Sequence, residues 1–149
     1  MRVYVFYALL LTCFGYAWLR GGGPERAAAT IILTGTVLTT LTYQPFATRF
    51  QSVETSAFLI DLAVWLALLA LALKAERFWP LWIAGLQGVA VVVHAVKILD
   101  PTILRWAYAF LMAIWVYPMM LILTIGIWGH QRRVMQYGAD PSWTRSFGS

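Results

Sequence analysis

The chain has 149 residues, 61% of them hydrophobic and only 11% charged, with a mean hydropathy of +0.72. Soluble domains carry about 25% charged residues, so this composition excludes an ordinary soluble domain, a disordered chain and a fibrous repeat. Eleven Lys and Arg against six acids give a net charge of +5, but they are spread over loops and tail. No single basic stripe marks a nucleic-acid site. What remains is an all-α polytopic membrane protein with the lipid bilayer as its first partner.

A membrane-spanning helix needs about 20 mostly apolar residues. Five stretches approach that length: residues 3–19, 27–43, 56–73, 79–99 and 104–128. They predict a bundle of five transmembrane helices in one domain over residues 1–130, followed by a short tail over 131–149. Arg2 before the first run resembles the start of a signal peptide. The run is long and aromatic, however, and its small-residue site at Ala27 to Ala29 lies beyond Glu25 and Arg26. It is therefore read as a retained helix. Cys13, the sole cysteine, sits mid-run and reads as a small buried hydrophobe.

Turn chemistry separates the stretches. Gly21-Gly22-Gly23-Pro24 closes the first hairpin, with Pro24 and Glu25 suited to the first turn of the second helix. That helix is short and carries six threonines, whose hydroxyls can bond back to the preceding turn. A packed interior helix is the first expectation, and a re-entrant or pathway-lining segment the second. Gln44-Pro45 ends it and opens the longest connection. Residues 74–78 join the third and fourth helices, with Pro80 in the first turn of the fourth. Asp100-Pro101 reads as the cap and first position of the fifth. Pro118 inside the fifth should bend it, because the carbonyl of Ile114 loses its partner.

An odd number of spans puts the termini on opposite sides. Arg2, Arg49, Lys97 and Arg105 fall on the N-terminal side; Arg20, Arg26, Lys74, Arg77, Arg132, Arg133 and Arg145 fall on the other. The positive-inside rule then places the C-terminus in the cytoplasm and the N-terminus outside. Trp18, Phe78, Trp79, Trp82, Trp106, Tyr108 and Trp128 lie near span ends, where amphipathic rings prefer to sit. Trp65 and Trp115 lie deeper and read as packing or lipid-facing groups. Nine Arg against two Lys hint at a bacterial source, hence an inner membrane.

Ionisable residues inside a membrane are functional candidates by default. Here they are Asp61 in the third helix and His94 and Lys97 in the fourth, joined by the polar Gln87. The third and fourth helices form a tight antiparallel hairpin. Asp61 lies about 15 residues before its midpoint and His94 about 17 after, so their depths differ by only about 3 Å. Asp61 is expected to meet His94, Lys97 or both, either as a clip fixing helix register or as a proton- or ion-linked site. Arg132, Arg133, Trp143 and Arg145 in the tail are candidates for partner or lipid contact; the plainer expectation is a solvated tail that only sets orientation.

No catalytic residue and no metal site are expected. Gly21 to Gly23 lacks the lysine of a phosphate-binding loop, and no metalloprotease spacing or nucleophile elbow occurs. No cofactor is expected either. A single axial role for His94 towards a haem or chlorophyll-type pigment is the one such chemistry available, and a lone histidine says little; His130 falls near the opposite face and cannot pair with it. The sequence thus points to a non-enzymatic accessory or structural subunit, with other membrane subunits or further copies of itself as partners. A small transporter or channel component working through Asp61, His94 and Lys97 is the alternative.

Overall fold

A computed structural model describes residues 2–42, 55–99, 114–141 and 143. Among these residues every regular element is a helix: α1 (Arg2–Arg20), α2 (Gly23–Leu41), α3 (Thr55–Lys74), α4 (Trp79–Leu99) and α5 (Val116–Tyr137). The long connection after Gln44, the Asp100-Pro101 cap, the start of the fifth expected stretch with Arg105, Trp106 and Tyr108, and Arg145 in the tail lie outside the described residues.

Each helix packs on its neighbours in chain order, and α5 returns to α1, so the five close into a ring. A further contact between α2 and α5 ties the ring across its middle. The core follows helical spacing. Leu10, Cys13 and Ala17 of α1 meet Ala28, Ala29 and Ile32 of α2, with Leu68 and Leu71 of α3, Ile83 and Ala84 of α4, and Met119, Met120, Leu123 and Ile127 of α5. Many of these side chains are small, which lets the helix backbones approach closely.

Two helices, Thr55–Lys74 and Trp79–Lys97, are long and apolar enough to cross a membrane, and Tyr4–Arg20 is a shorter apolar helix. Only 22% of the α3 window and 33% of the α4 window are buried by the rest of the chain. Large apolar side chains such as Leu19, Leu41, Leu59, Leu66, Trp82 and Leu121 stand exposed around the bundle. A core helix of a soluble protein would be mostly covered.

The threonines of α2 turn inward on their own backbone. Thr30, Thr36 and Thr40 donate to the carbonyls of Arg26, Ile32 and Thr36 at 2.8, 2.9 and 2.7 Å. Because the Thr40 proton is used there, the 2.6 Å contact with Tyr7 is a donation from the Tyr7 hydroxyl, and it ties α1 to α2.

The helical backbone is interrupted by a turn at Trp115, next to the Ile114 carbonyl that Pro118 leaves without its usual partner; residues 104–113 before it lie outside the described residues. Pro118 lies in the first turn of α5, where its missing N–H costs α5 itself no bond. At the other end α5 runs past residue 128 and includes seven of the nineteen residues of the expected tail, to Tyr137. The apolar run stops there but the helix formers do not: Gln131 to Gln136 contain no breaker. Gly138 ends the helix at a left-handed φ of 74°, a conformation that costs glycine nothing. That turn sends the chain back towards the bundle.

Candidate functional site

Two polar sites lie at opposite ends of the bundle. The first sits in the α3–α4 hairpin. Asp61 is in the second turn of α3, and Gln87 and His94 share one face of α4, seven residues apart. His94 Nε2 lies 2.9 Å from Asp61 Oδ2, and Gln87 Nε2 donates to Asp61 Oδ1 at 3.0 Å and more weakly to the Asp61 carbonyl at 3.4 Å. Both carboxylate oxygens are thus occupied from α4. The contact with a carboxylate oxygen makes Nε2 the protonated ring nitrogen. Phe58, one turn before Asp61, packs edge-on against the imidazole with ring centroids 5.8 Å apart. His94 and Gln87 are buried, and Lys97, one turn beyond His94, is buried as well. The Asp61 side chain keeps 26% of its surface exposed and so reaches the edge of the hairpin.

The second site was not apparent from the sequence. It gathers the α1–α2 loop, the α3–α4 loop and the segment after α5 at one end of the bundle. Arg77, in the α3–α4 loop, is its centre. Arg77 Nη1 is 2.7 Å from Asp140 Oδ2 and 3.5 Å from Glu25 Oε1, and its side chain is 4% exposed. His130 Nδ1 lies 2.6 Å from the same Asp140 oxygen, while Arg133 Nε donates to Asp140 Oδ1 at 2.9 Å. The His130 proton goes to the carboxylate, so the 3.5 Å approach of Arg77 Nη2 to that ring nitrogen is not a hydrogen bond. Nη2 instead donates to the Pro141 carbonyl at 3.4 Å. Glu25 Oε2 accepts the backbone N–H of Gly22 at 3.1 Å, which caps α2.

The charges of Glu25 and Asp140 balance those of Arg77 and Arg133. Burial pushes the Asp140 carboxyl up, but hydrogen bonds from Arg133, His130 and Arg77, with the Arg77 charge, outweigh it and hold the group at about 2, below the usual 3.8. Arg77 Nε and Glu25 Oε1 make no hydrogen bond among the described residues, and Glu25 Oε1 meets Arg77 only at 3.5 Å. Attraction at those atoms is coulombic, and strong because the groups are out of water.

The tail residues singled out from the sequence divide. Arg133 joins the Asp140 network. Arg132 lies over the Trp128 ring, 4.1 Å from its centroid. Trp143 pairs its backbone with Ala75 and lays its indole on Gly23, where an added Cβ would meet the ring at 2.9 Å. The His130 ring covers Gly22 in the same way, at 2.8 Å. The glycines that read as a turn therefore also form the floor on which His130 and Trp143 rest. Gly23→Leu is expected to displace Trp143 while leaving the bundle assembled. Tm should fall by roughly 3–5 °C, and limited trypsin digestion should cut faster at Arg145.

Among the described residues no three His, Cys, Asp or Glu side chains converge as a metal centre would require. His94 and His130 lie at the two opposite ends. In comparisons with known proteins, no family model, no curated protein and no solved structure matches this chain.

Proposed function

We propose that the chain is an integral membrane protein of the bacterial inner membrane, with all five helices crossing the bilayer, the N-terminus outside and the C-terminus in the cytoplasm. Its role is non-enzymatic: an accessory or structural subunit of a larger membrane assembly. The observation that carries this reading is the closure of the polar groups on the chain itself. Both oxygens of Asp61 are taken by His94 and Gln87, and both oxygens of Asp140 by Arg77, His130 and Arg133. Such sites act as clips that fix helix register and loop position, while the uncovered surface is left apolar for lipid and partner helices. The topology agrees with the grouping of the two hairpin loops and the segment after α5 at one end.

The second reading is a small transporter or channel component with a proton- or ion-linked site at Asp61, His94 and Lys97. The partial exposure of Asp61 beside the buried His94 favours it. Reconstitution into proteoliposomes separates the two. A subunit held by clips shows no flux driven by a pH gradient, and Asp61→Asn and His94→Ala lower its accumulation or thermal stability. A pH-dependent flux that either substitution abolishes, with accumulation unchanged, would establish the transporter instead.

A further inference from the structure

Gly138, Ala139, Pro141 and Trp143 are exposed, yet the Asp140 side chain among them keeps only 7% of its surface exposed. An exposed strap is thus pinned by a buried carboxylate. The groups that receive this carboxylate belong to the bundle itself. Arg77 comes from the α3–α4 loop, and His130 and Arg133 are three residues apart on one face of α5. Glu25 stands 3.5 Å from Arg77 and is anchored in turn by the Gly22 N–H. Withdrawal of the strap therefore leaves two arginines against one carboxylate, a site with one net positive charge beside His130. The hinge for that movement is Gly138, which has a φ of 74° and where an added Cβ would meet nothing within 4 Å. Past Asp140 the strap is held by the 3.4 Å bond to the Pro141 carbonyl, one backbone pairing of Trp143 with Ala75, and the indole on Gly23. Segments with so few buried apolar contacts open locally at low cost.

We infer that Arg77, His130 and Arg133 form a binding site for a phosphate group, which the chain's own Asp140 carboxylate occupies while the strap is closed. This adds a ligand to a cluster described above as a clip, and it does not depend on which helices cross the bilayer. The donors favour phosphate. The carboxylate engages Arg77 Nη1, His130 Nδ1 and Arg133 Nε, but the buried Arg77 Nε has no partner among the described residues. Nε and Nη2 lie on one edge of a guanidinium, and here Nη2 donates only to the strap's Pro141 carbonyl, and weakly. When the strap leaves, that edge becomes a two-pronged donor. A phosphate has enough oxygens to take it together with His130 and Arg133. Against the upward push of burial, the same groups already hold the Asp140 carboxyl at about 2, so the site favours an anion strongly. Free phosphate and the phosphate of a lipid headgroup share this chemistry.

The test is calorimetric titration of the full-length protein in detergent with inorganic phosphate, and separately with short-chain phosphatidic acid, at constant ionic strength. A strap closed about nine-tenths of the time weakens binding about tenfold. Asp140→Asn removes the competing charge, so it should bind phosphate about tenfold more tightly than the wild type. Adding Arg133→Gln should abolish that gain, and thermal unfolding checks that each variant is folded. Where Asp140→Asn does not fold, Ala75→Cys with Trp143→Cys takes its place, since paired antiparallel residues stand close enough for a disulfide. Reduced, this variant should bind; oxidised, with the strap locked, it should not. Binding confined to phosphatidic acid makes the source a lipid headgroup, and binding of inorganic phosphate makes it a soluble one; either supports the site. Binding of neither, equal affinity of Asp140→Asn and wild type, a gain that survives Arg133→Gln, or equal binding by the oxidised and reduced forms overturns the inference.

Discussion

Replacing Asp140 with Asn should lower stability by about 3 kcal/mol, because it leaves the Arg77 charge buried with only Glu25 at 3.5 Å to offset it. For a chain of this size that is a fall in Tm of roughly 10 °C. The same carboxylate dictates a pH dependence. Its folded value of about 2 lies below the ordinary 3.8, so the folded state holds this proton less tightly than the unfolded chain. The stabilisation, about 2 kcal/mol, is fully present above about pH 4. It declines as pH falls from about 4 to about 2, and is absent below that. Thermal unfolding in detergent across this range should show the acid loss in the wild type and a flatter profile in Asp140→Asn. A variant with wild-type Tm and an unchanged acid limb would mean that the segment after α5 does not close on Arg77. Deleting the chain after Gln131 is correspondingly a poor test of partner binding, since it removes Arg133 and Asp140 from the chain's own fold.

The second large effect belongs to the α3–α4 hairpin. Asp61→Leu removes the carboxylate that buried His94 and Gln87 share and leaves Gln87 only its weak bond to the residue 61 carbonyl, at a cost of about 2–3 kcal/mol. His94→Leu leaves the Asp61 carboxylate without its closest partner and should cost about as much. The double replacement removes both side-chain polar groups and leaves Gln87 its weak bond to the residue 61 carbonyl. It should recover most of the loss, with a coupling energy of about 2 kcal/mol. Neutral hydrogen bonds between membrane helices average about 0.6 kcal/mol; the carboxylate is what raises the expectation here. Additive losses in the double variant would show that the two side chains do not act as a pair.

The α3–α4 hairpin was the most legible part of the chain. A short loop fixes two long helices as antiparallel neighbours, and the rise per residue then sets which depths coincide. That arithmetic was enough to bring Asp61 level with His94, and the seven-residue spacing added Gln87. The helix limits of α1, α3 and α4 fall within a residue or so of the apolar runs, because there the polar residues coincide with the loops. The end of α5 could not be read this way. Apolar runs mark where lipid or core begins, whereas helices end at breakers, and Gly138 comes ten residues after Trp128. Missing that extension hid the Arg77–Asp140 cluster, since its parts lie far apart in sequence and meet only after the chain turns at Gly138. The signals were nonetheless there. A hairpin of two or three residues does not need Gly21, Gly22 and Gly23 together, and the excess glycine reflects the close approach of His130 and Trp143.

Purification from the source membrane in mild detergent, followed by size analysis, absorption spectroscopy and mass spectrometry, tests the subunit reading most directly. A structural subunit should travel with a larger assembly at fixed stoichiometry, and any visible absorbance should belong to that assembly's own pigment or haem. A colourless chain that runs alone or only as copies of itself would contradict the reading, and would make the Asp61–His94 pair the first place to look for transport.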